Sequence, residues 1–228
     1  LFDYDTYALC GDGDLMEGVS SEAASLAGHS KLSNLCWIYD DNGITIEGHT
    51  DLAFSEKVAE RFQALGWNTV SVAEANDCQA LSKALANFKA CRDKPTLIVV
   101  RSVIGFGSPN KANTHGAHGA PLGDDEIKLT KQAYGWPENE KFLVPKEVPE
   151  FFQQTVVKKG ADASRAWTAK FAEYRQAFPQ QARELDAIFA GQLPDGWDSG
   201  ITEFAADAKG LATRVSSGKV LNMLAPHM

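Results

Sequence analysis

Short apolar runs alternate along this chain with stretches whose apolar residues recur every three or four positions. The runs Tyr4–Cys10, Leu35–Tyr39, Trp67–Val72 and Pro95–Val100 are continuous rather than alternating, which predicts strands of a parallel sheet covered on both faces. Between them, Leu15, Val19, Ala23, Leu26 and Ala27 fall on one face of a predicted helix, closed by Gly28 and the Ser30, Ser33, Asn34 cluster. Phe54, Val58, Phe62 and Leu65 mark a second helix, ended by Gly66. Leu81, Ala84, Leu85 and Phe88 mark a third, starting near Asn76 and Asp77. Strands alternating with helices of this length imply right-handed βαβ units, hence an α/β fold with a doubly wound parallel sheet.

The pattern changes after the fourth strand. Residues 102–123 are rich in glycine, proline, asparagine and histidine and predict a long loop, the kind that compact domains keep for function. From Asp124 onward the periodicity is helical, with breaks expected at Pro137, Pro145, Pro149, Pro179 and Pro194. Leu1 leads almost at once into a strand, and the last residues, Val220 to Met228, form an unfinished apolar stretch. The chain reads as a piece of a longer polypeptide.

Composition narrows the functional classes. At 44% hydrophobic and 23% charged residues the chain can build a packed core. Its net charge of −8 argues against nucleic acid as a partner. Cys10, Cys36, Cys78 and Cys91 form no C-x-x-C pair and read as free thiols of a reducing compartment. No apolar run approaches a membrane span and no signal peptide is visible, so the expectation is a soluble, cytoplasmic protein with no membrane partner.

The candidate chemistry sits where the first strand breaks into Gly11-Asp12-Gly13-Asp14-Leu15-Met16-Glu17-Gly18. A strand that ends in glycines and restarts as a helix aims backbone N–H groups at phosphate. Asp12, set between the glycines, would repel that phosphate unless a divalent cation lies between them. A dinucleotide fingerprint would need glycine where Met16 stands, and an EF-hand would need a ligand at Met16 and glycine at Glu17. Asn42 follows the next strand, at the carboxyl end where open α/β sheets bind ligands. Asp12, Asn42 and a main-chain oxygen just after it would suit a hard cation, although Asn42-Gly43 is equally a favoured turn pair.

Gly11-Asp12-Gly13, 28 intervening residues and then Asn42 resemble the thiamine diphosphate signature of the transketolase family. So do Ser25-Leu-Ala-Gly-His, Tyr39-Asp-Asp-Asn-Gly-Ile-Thr-Ile-Glu-Gly, Ile104-Gly-Phe-Gly-Ser-Pro-Asn-Lys and His118-Gly-Ala-Pro-Leu-Gly, and the likeness extends over essentially the whole chain. The resemblance implies that Asp12, the Asn42 side chain and the Ile44 main-chain oxygen hold Mg²⁺ or Ca²⁺ on the diphosphate of thiamine diphosphate. It implies that Gly13 approaches the diphosphate through its backbone, that Ile46 packs on the thiazolium side, and that His118 reaches both diphosphate and substrate as the catalytic and substrate residue. Residues 1–180 would be the later part of the diphosphate-binding domain, and 181–228 a helical linker toward a pyrimidine-binding domain.

The implied reaction transfers a two-carbon ketol unit from a ketose phosphate to an aldose phosphate, in the pentose phosphate pathway, by a homodimer with active sites at the subunit interface. Dihydroxyacetone synthase shares the motifs and is the alternative, as is a cofactor-binding fragment or split subunit that needs a partner. The pyrimidine-side glutamate of the family has no match in this sequence, so the chain alone is expected to show no turnover. Glu17 and Glu22 lie in the helix after the loop; the resemblance places them in an acidic network between subunits, against the plainer reading of two solvated carboxylates. His29 and His49 read as surface or structural residues. His115 and His118 have H-x-x-H spacing, but no third nitrogen or sulfur ligand for zinc lies near.

Overall fold

The computed structural model describes residues 1–227, which form two compact units, Phe2–Leu143 and the chain from Val144 onward. The first unit is built on four parallel strands, β1 (Thr6–Gly11), β2 (Leu35–Asp41), β3 (Asn68–Val72) and β4 (Thr96–Arg101), in the order β1-β2-β4-β3. Gly11 stands opposite Asp40, and Asp40 opposite Val100. Three strands therefore finish at one level, and whatever follows each of them converges on one edge of the sheet.

Helices cover both faces of the inner strands, as their continuous apolar runs require, but the edge strand β1, expected to be covered likewise, leaves Tyr7 and Leu9 exposed. On one face α1 (Asp12–Met16), α2 (Gly18–His29) and α3 (Val58–Ala64) pack Leu15, Ala24, Ala27, Val58 and Phe62 against Tyr39, Trp67 and Leu97. On the other, α4 (Cys78–Ala90) packs Ala84 and Phe88 against Cys36, Val72, Ile98 and Val100. Leu15, Phe62, Phe88, Leu97 and Ile98 are fully buried, each contributing about 1.5–3 kcal/mol relative to exposure. Asp77 caps α4 by accepting from the Gln79 and Ala80 N–H groups, close to the start read from the sequence.

The helix expected after the glycine loop is two helices. Glu17 takes an extended conformation (φ −71°, ψ 136°) and interrupts the run, its carbonyl accepting from the Ser20 hydroxyl. The break resets the helical phase. Val19, Ala23 and Leu26, expected in the core, are exposed, and Ala24, Ala27 and Gly28 face inward instead. A Cβ on Gly28 would come within 1.9 Å of the Leu65 carbonyl oxygen, so only glycine allows this approach of α2 to the end of α3.

β4 leads into the long 102–123 loop, which contains a short 3₁₀ turn at His115–Ala117 and ends at α5 (Asp124–Ala133). The second unit is helical in its regular parts: α6 (Glu147–Phe152), a π turn at Gln153–Val157, α7 (Lys158–Ala177), α8 (Pro179–Phe189) and α9 (Thr213–Leu224). Pro149 does not break the pattern but lies in the first turn of α6, where its missing N–H had no partner to lose; Pro179 opens α8 for the same reason. The expected boundary at residue 180 falls in the first turn of α8, inside this second unit. Among the described residues no helix is long and apolar enough to cross a membrane.

Candidate cofactor site

β1 passes directly through Gly11 into α1, and the two aspartates of the loop divide the work. Asp14 turns back and accepts from the Gly11 N–H at 2.8 Å, closing the loop on itself. Asp12 points the other way and is 3% exposed. One of its oxygens accepts from the Tyr39 hydroxyl at 2.5 Å and the other from the Gly43 N–H at 3.0 Å. The second bond ties the end of β1 to the turn after β2, residues 31 apart in sequence.

That turn is held from within. Asn42 Oδ1 accepts from the Ile44 N–H at 2.9 Å, and Asn42 Nδ2 donates to Asp40 at 3.0 Å. Gly43 has φ +71°, the left-handed region that a side chain resists. A tight hairpin follows, with Thr45 N–H donating to Gly48 O at 2.8 Å and Thr50 N–H to Gly43 O at 3.0 Å. This pairing leaves the Ile44 carbonyl outside the ladder, while Ile44 itself is 2% exposed. The structure thus brings together the three residues expected to bind a metal.

Each carboxylate oxygen of Asp12 has a lone pair beyond the one already engaged, as does Asn42 Oδ1. One carboxylate, one amide oxygen and one main-chain carbonyl form an oxygen set suited to a hard divalent cation. Among the described residues no cluster of three His, Cys, Asp or Glu side chains could hold a metal without such neutral oxygens. A Cβ on Gly13 would meet nothing within 4 Å, so packing inside the chain does not explain a glycine there; a group approaching the backbone would. The residues fit a metal-bound diphosphate.

Two residues of this arrangement escaped the sequence reading. Tyr39 is buried, and burial followed by the Asp12 carboxylate pushes its hydroxyl pKa up, so it stays protonated and donating. Asp40 gathers the Asn42 amide and the Ser102 hydroxyl, which fixes the start of the long loop to the same turn. Neither contact has a local signal, since the partners lie 27 and 62 residues apart. Cys10, beside the loop, is held as a thiol: burial, then Asp14 and Asp40, push its pKa up to about 12. α1 is braced from α3, where Arg61 donates to the Leu15 carbonyl at 3.2 Å and to the Ser21 hydroxyl at 2.8 Å.

The remaining expected residues are held with less constraint. Ile46 is 68% exposed at the hairpin tip. His118 is exposed in the long loop, just after the 3₁₀ turn. Glu17 and Glu22 are both exposed; Glu22 shares α2 with exposed Val19 and Leu26, whereas Glu17, expected in that helix, lies in the extended break before it. His29, His49 and His115 are exposed.

Comparison with known proteins adds a family. Residues 1–194 match the family model described as transketolase, thiamine diphosphate binding domain. A transketolase of Geobacillus stearothermophilus is 51% identical over 220 residues, 96% of this chain and 33% of that protein. A Pichia stipitis transketolase in complex with sedoheptulose 7-phosphate superposes with a TM-score of 0.88 at 42% identity, over 99% of this chain and 33% of the other. A transketolase from Leishmania mexicana gives the same TM-score, 0.88, at 39% identity and the same coverage of 99% and 33%. The chain spans about a third of the length of the relatives it matches.

Proposed function

The chain belongs to the transketolase family, through its thiamine diphosphate binding domain, and from that premise we propose that it supplies the diphosphate-holding half of a transketolase active site. The enzyme would move a two-carbon ketol unit between sugar phosphates in the cytoplasmic pentose phosphate pathway. The observation that carries the site assignment is the Asp12 carboxylate bonded to the Gly43 N–H, which sets a carboxylate beside the Asn42–Ile44 turn at the carboxyl ends of neighbouring strands.

In this reading Asp12, Asn42 Oδ1 and the Ile44 carbonyl hold Mg²⁺ or Ca²⁺, and Gly13 lets the diphosphate reach main-chain N–H groups. Bound thiamine diphosphate supplies the carbanion chemistry of ketol transfer. The protein's part is placement: Tyr39 and Gly43 fix the carboxylate, and Asp40 with Asn42 fixes the turn. Ile46 offers an apolar surface to the thiazolium side, and His118 offers a donor to diphosphate and substrate. The family's sugar phosphates are the proposed substrates. Residues 1–180 would belong to the diphosphate-binding domain and 181–228 to the linker.

A homodimer is part of the proposal. Val19, Ala23 and Leu26 form an exposed small-to-apolar stripe on α2, with Glu22 on the same helix and Glu17 at the extended break just before it, an arrangement suited to burial against a second subunit. The test of the site is calorimetric titration of the chain with thiamine diphosphate and Mg²⁺. Binding that is lost in Asp12→Asn and Asn42→Ala supports the assignment; binding unchanged by both would overturn it.

A further inference from the structure

Glu126 is a charged side chain only 8% exposed, in the first turn of α5, and it shares no hydrogen bond with Asp12, Asn42 or Ile44. Its whole carboxylate is spent on the 102–123 loop. Oε1 accepts from the Ser108 hydroxyl and from the Asn110 N–H at 2.8 Å, and Oε2 accepts from Asn110 Nδ2 at 2.9 Å. Ser108 is itself buried, and its hydroxyl oxygen takes a further bond from the Lys111 N–H at 3.3 Å. Around this knot the backbone folds tightly: Ser108 N–H donates to Gly105 O, Ala112 N–H to Ser108 O, and Asn113 N–H to Ile104 O.

The knot then reaches across the loop. Thr114 Oγ1 donates to the Lys111 carbonyl at 2.8 Å, and Lys111 Nζ donates to the Pro121 carbonyl at 3.3 Å. His118 lies between Lys111 and Pro121. The segment that carries it is therefore suspended from two points, both tied through Lys111 to the turn that Glu126 holds. A carboxylate accepting three donors is a strong local anchor, since charge-assisted hydrogen bonds are roughly twice as strong as neutral ones.

We propose that Glu126 is a positioning residue: by anchoring the Ser108–Lys111 turn to α5 it orders the loop that presents His118. The function of His118 rests on the reading in the preceding subsection, whereas the ordering of its loop by Glu126 does not. Glu126→Gln would keep both Oε1 acceptor bonds, and the Asn110 amide could turn to pair with the new Nε2. Alanine keeps none of them.

Amide hydrogen exchange on the chain separates these cases. In Glu126→Ala, amides of residues 108–122 should exchange roughly tenfold faster or more, about the effect of losing one net hydrogen bond to a charged group. Those of β4 and α4 should be unchanged, and Glu126→Gln should stay within about threefold of the parent chain. Lys111→Met should loosen 115–121 while leaving 108–110 protected. Unchanged loop exchange in Glu126→Ala, equal loosening of α4, or a glutamine variant as loose as alanine would each overturn the proposal. Titration of His118→Ala with thiamine diphosphate and Mg²⁺ then tests the other half. Weakened binding supports the presentation of His118 to the cofactor, and unchanged affinity would overturn that role while the exchange result identifies the anchor on its own.

Discussion

Tyr39 carries a hydroxyl into an apolar strand and delivers it to Asp12 at 2.5 Å. Tyr39→Phe removes that donor without changing shape. It should cost about 1 kcal/mol of stability by denaturant unfolding, the net worth of one hydrogen bond. It should also weaken Mg²⁺-dependent cofactor binding by roughly 10- to 100-fold, as loss of an outer-shell partner does at metal sites. Glu126 gives a pH dependence of known sign. Its pKa is lowered to about 2, first by the Ser108 hydroxyl and then by the Asn110 side chain and N–H, from an ordinary value of 4.5. A depressed carboxylate stabilises the loop fully above its unfolded pKa and loses that contribution as pH falls through the folded one. Protection of residues 108–122 should thus hold at neutral pH and fade between about pH 4.5 and 2, whereas in Glu126→Gln this step should be absent. At this scale the sequence pointed to Asp12 and Asn42 as candidates because each stands in its own short glycine-bearing motif at the end of an apolar run. Tyr39, Asp40 and Glu126 were not legible, since each acts through a partner brought near only by the fold.

At the level of elements, the strands and the two flanking layers followed from apolar runs and periodicity. The phase of α2 did not. Leu15 and Val19 are four apart and would share a face on one uninterrupted helix, but Glu17 adopts an extended conformation between them and the count restarts. Nothing in the apolar pattern marks that break, and Glu17 takes there an extended conformation open to any residue. The start of α4 was readable because Asp77 is a capping residue ahead of a periodic run. Asp77→Ala should lower stability by about 1 kcal/mol in denaturant unfolding, and Asp77→Asn should restore most of it. Gly28→Val should be far more damaging, because its side chain would collide with the Leu65 backbone where α2 meets the end of α3. A circular dichroism melt should show loss of cooperative unfolding at a temperature where the parent chain is folded.

For the whole molecule, the governing fact is charge. A chain of net charge −8 that buries an aspartate at the carboxyl ends of parallel strands is a poor receptor for a bare diphosphate. In the proposed reading a divalent cation joining the two would make it a good one. The fold accounts for how the site is assembled: parallel pairing of β1 with β2 brings Gly11 level with Asp40, and the residues just beyond both strands meet without further help. The most direct test is titration of the chain with thiamine diphosphate, with Mg²⁺ and in its absence, for the parent chain and Asp12→Asn. The account predicts binding that requires the metal and falls by at least about 100-fold in Asp12→Asn, beyond what outer-shell changes cost. Equal binding with and without Mg²⁺, or an Asp12→Asn chain that binds as the parent does, would contradict it.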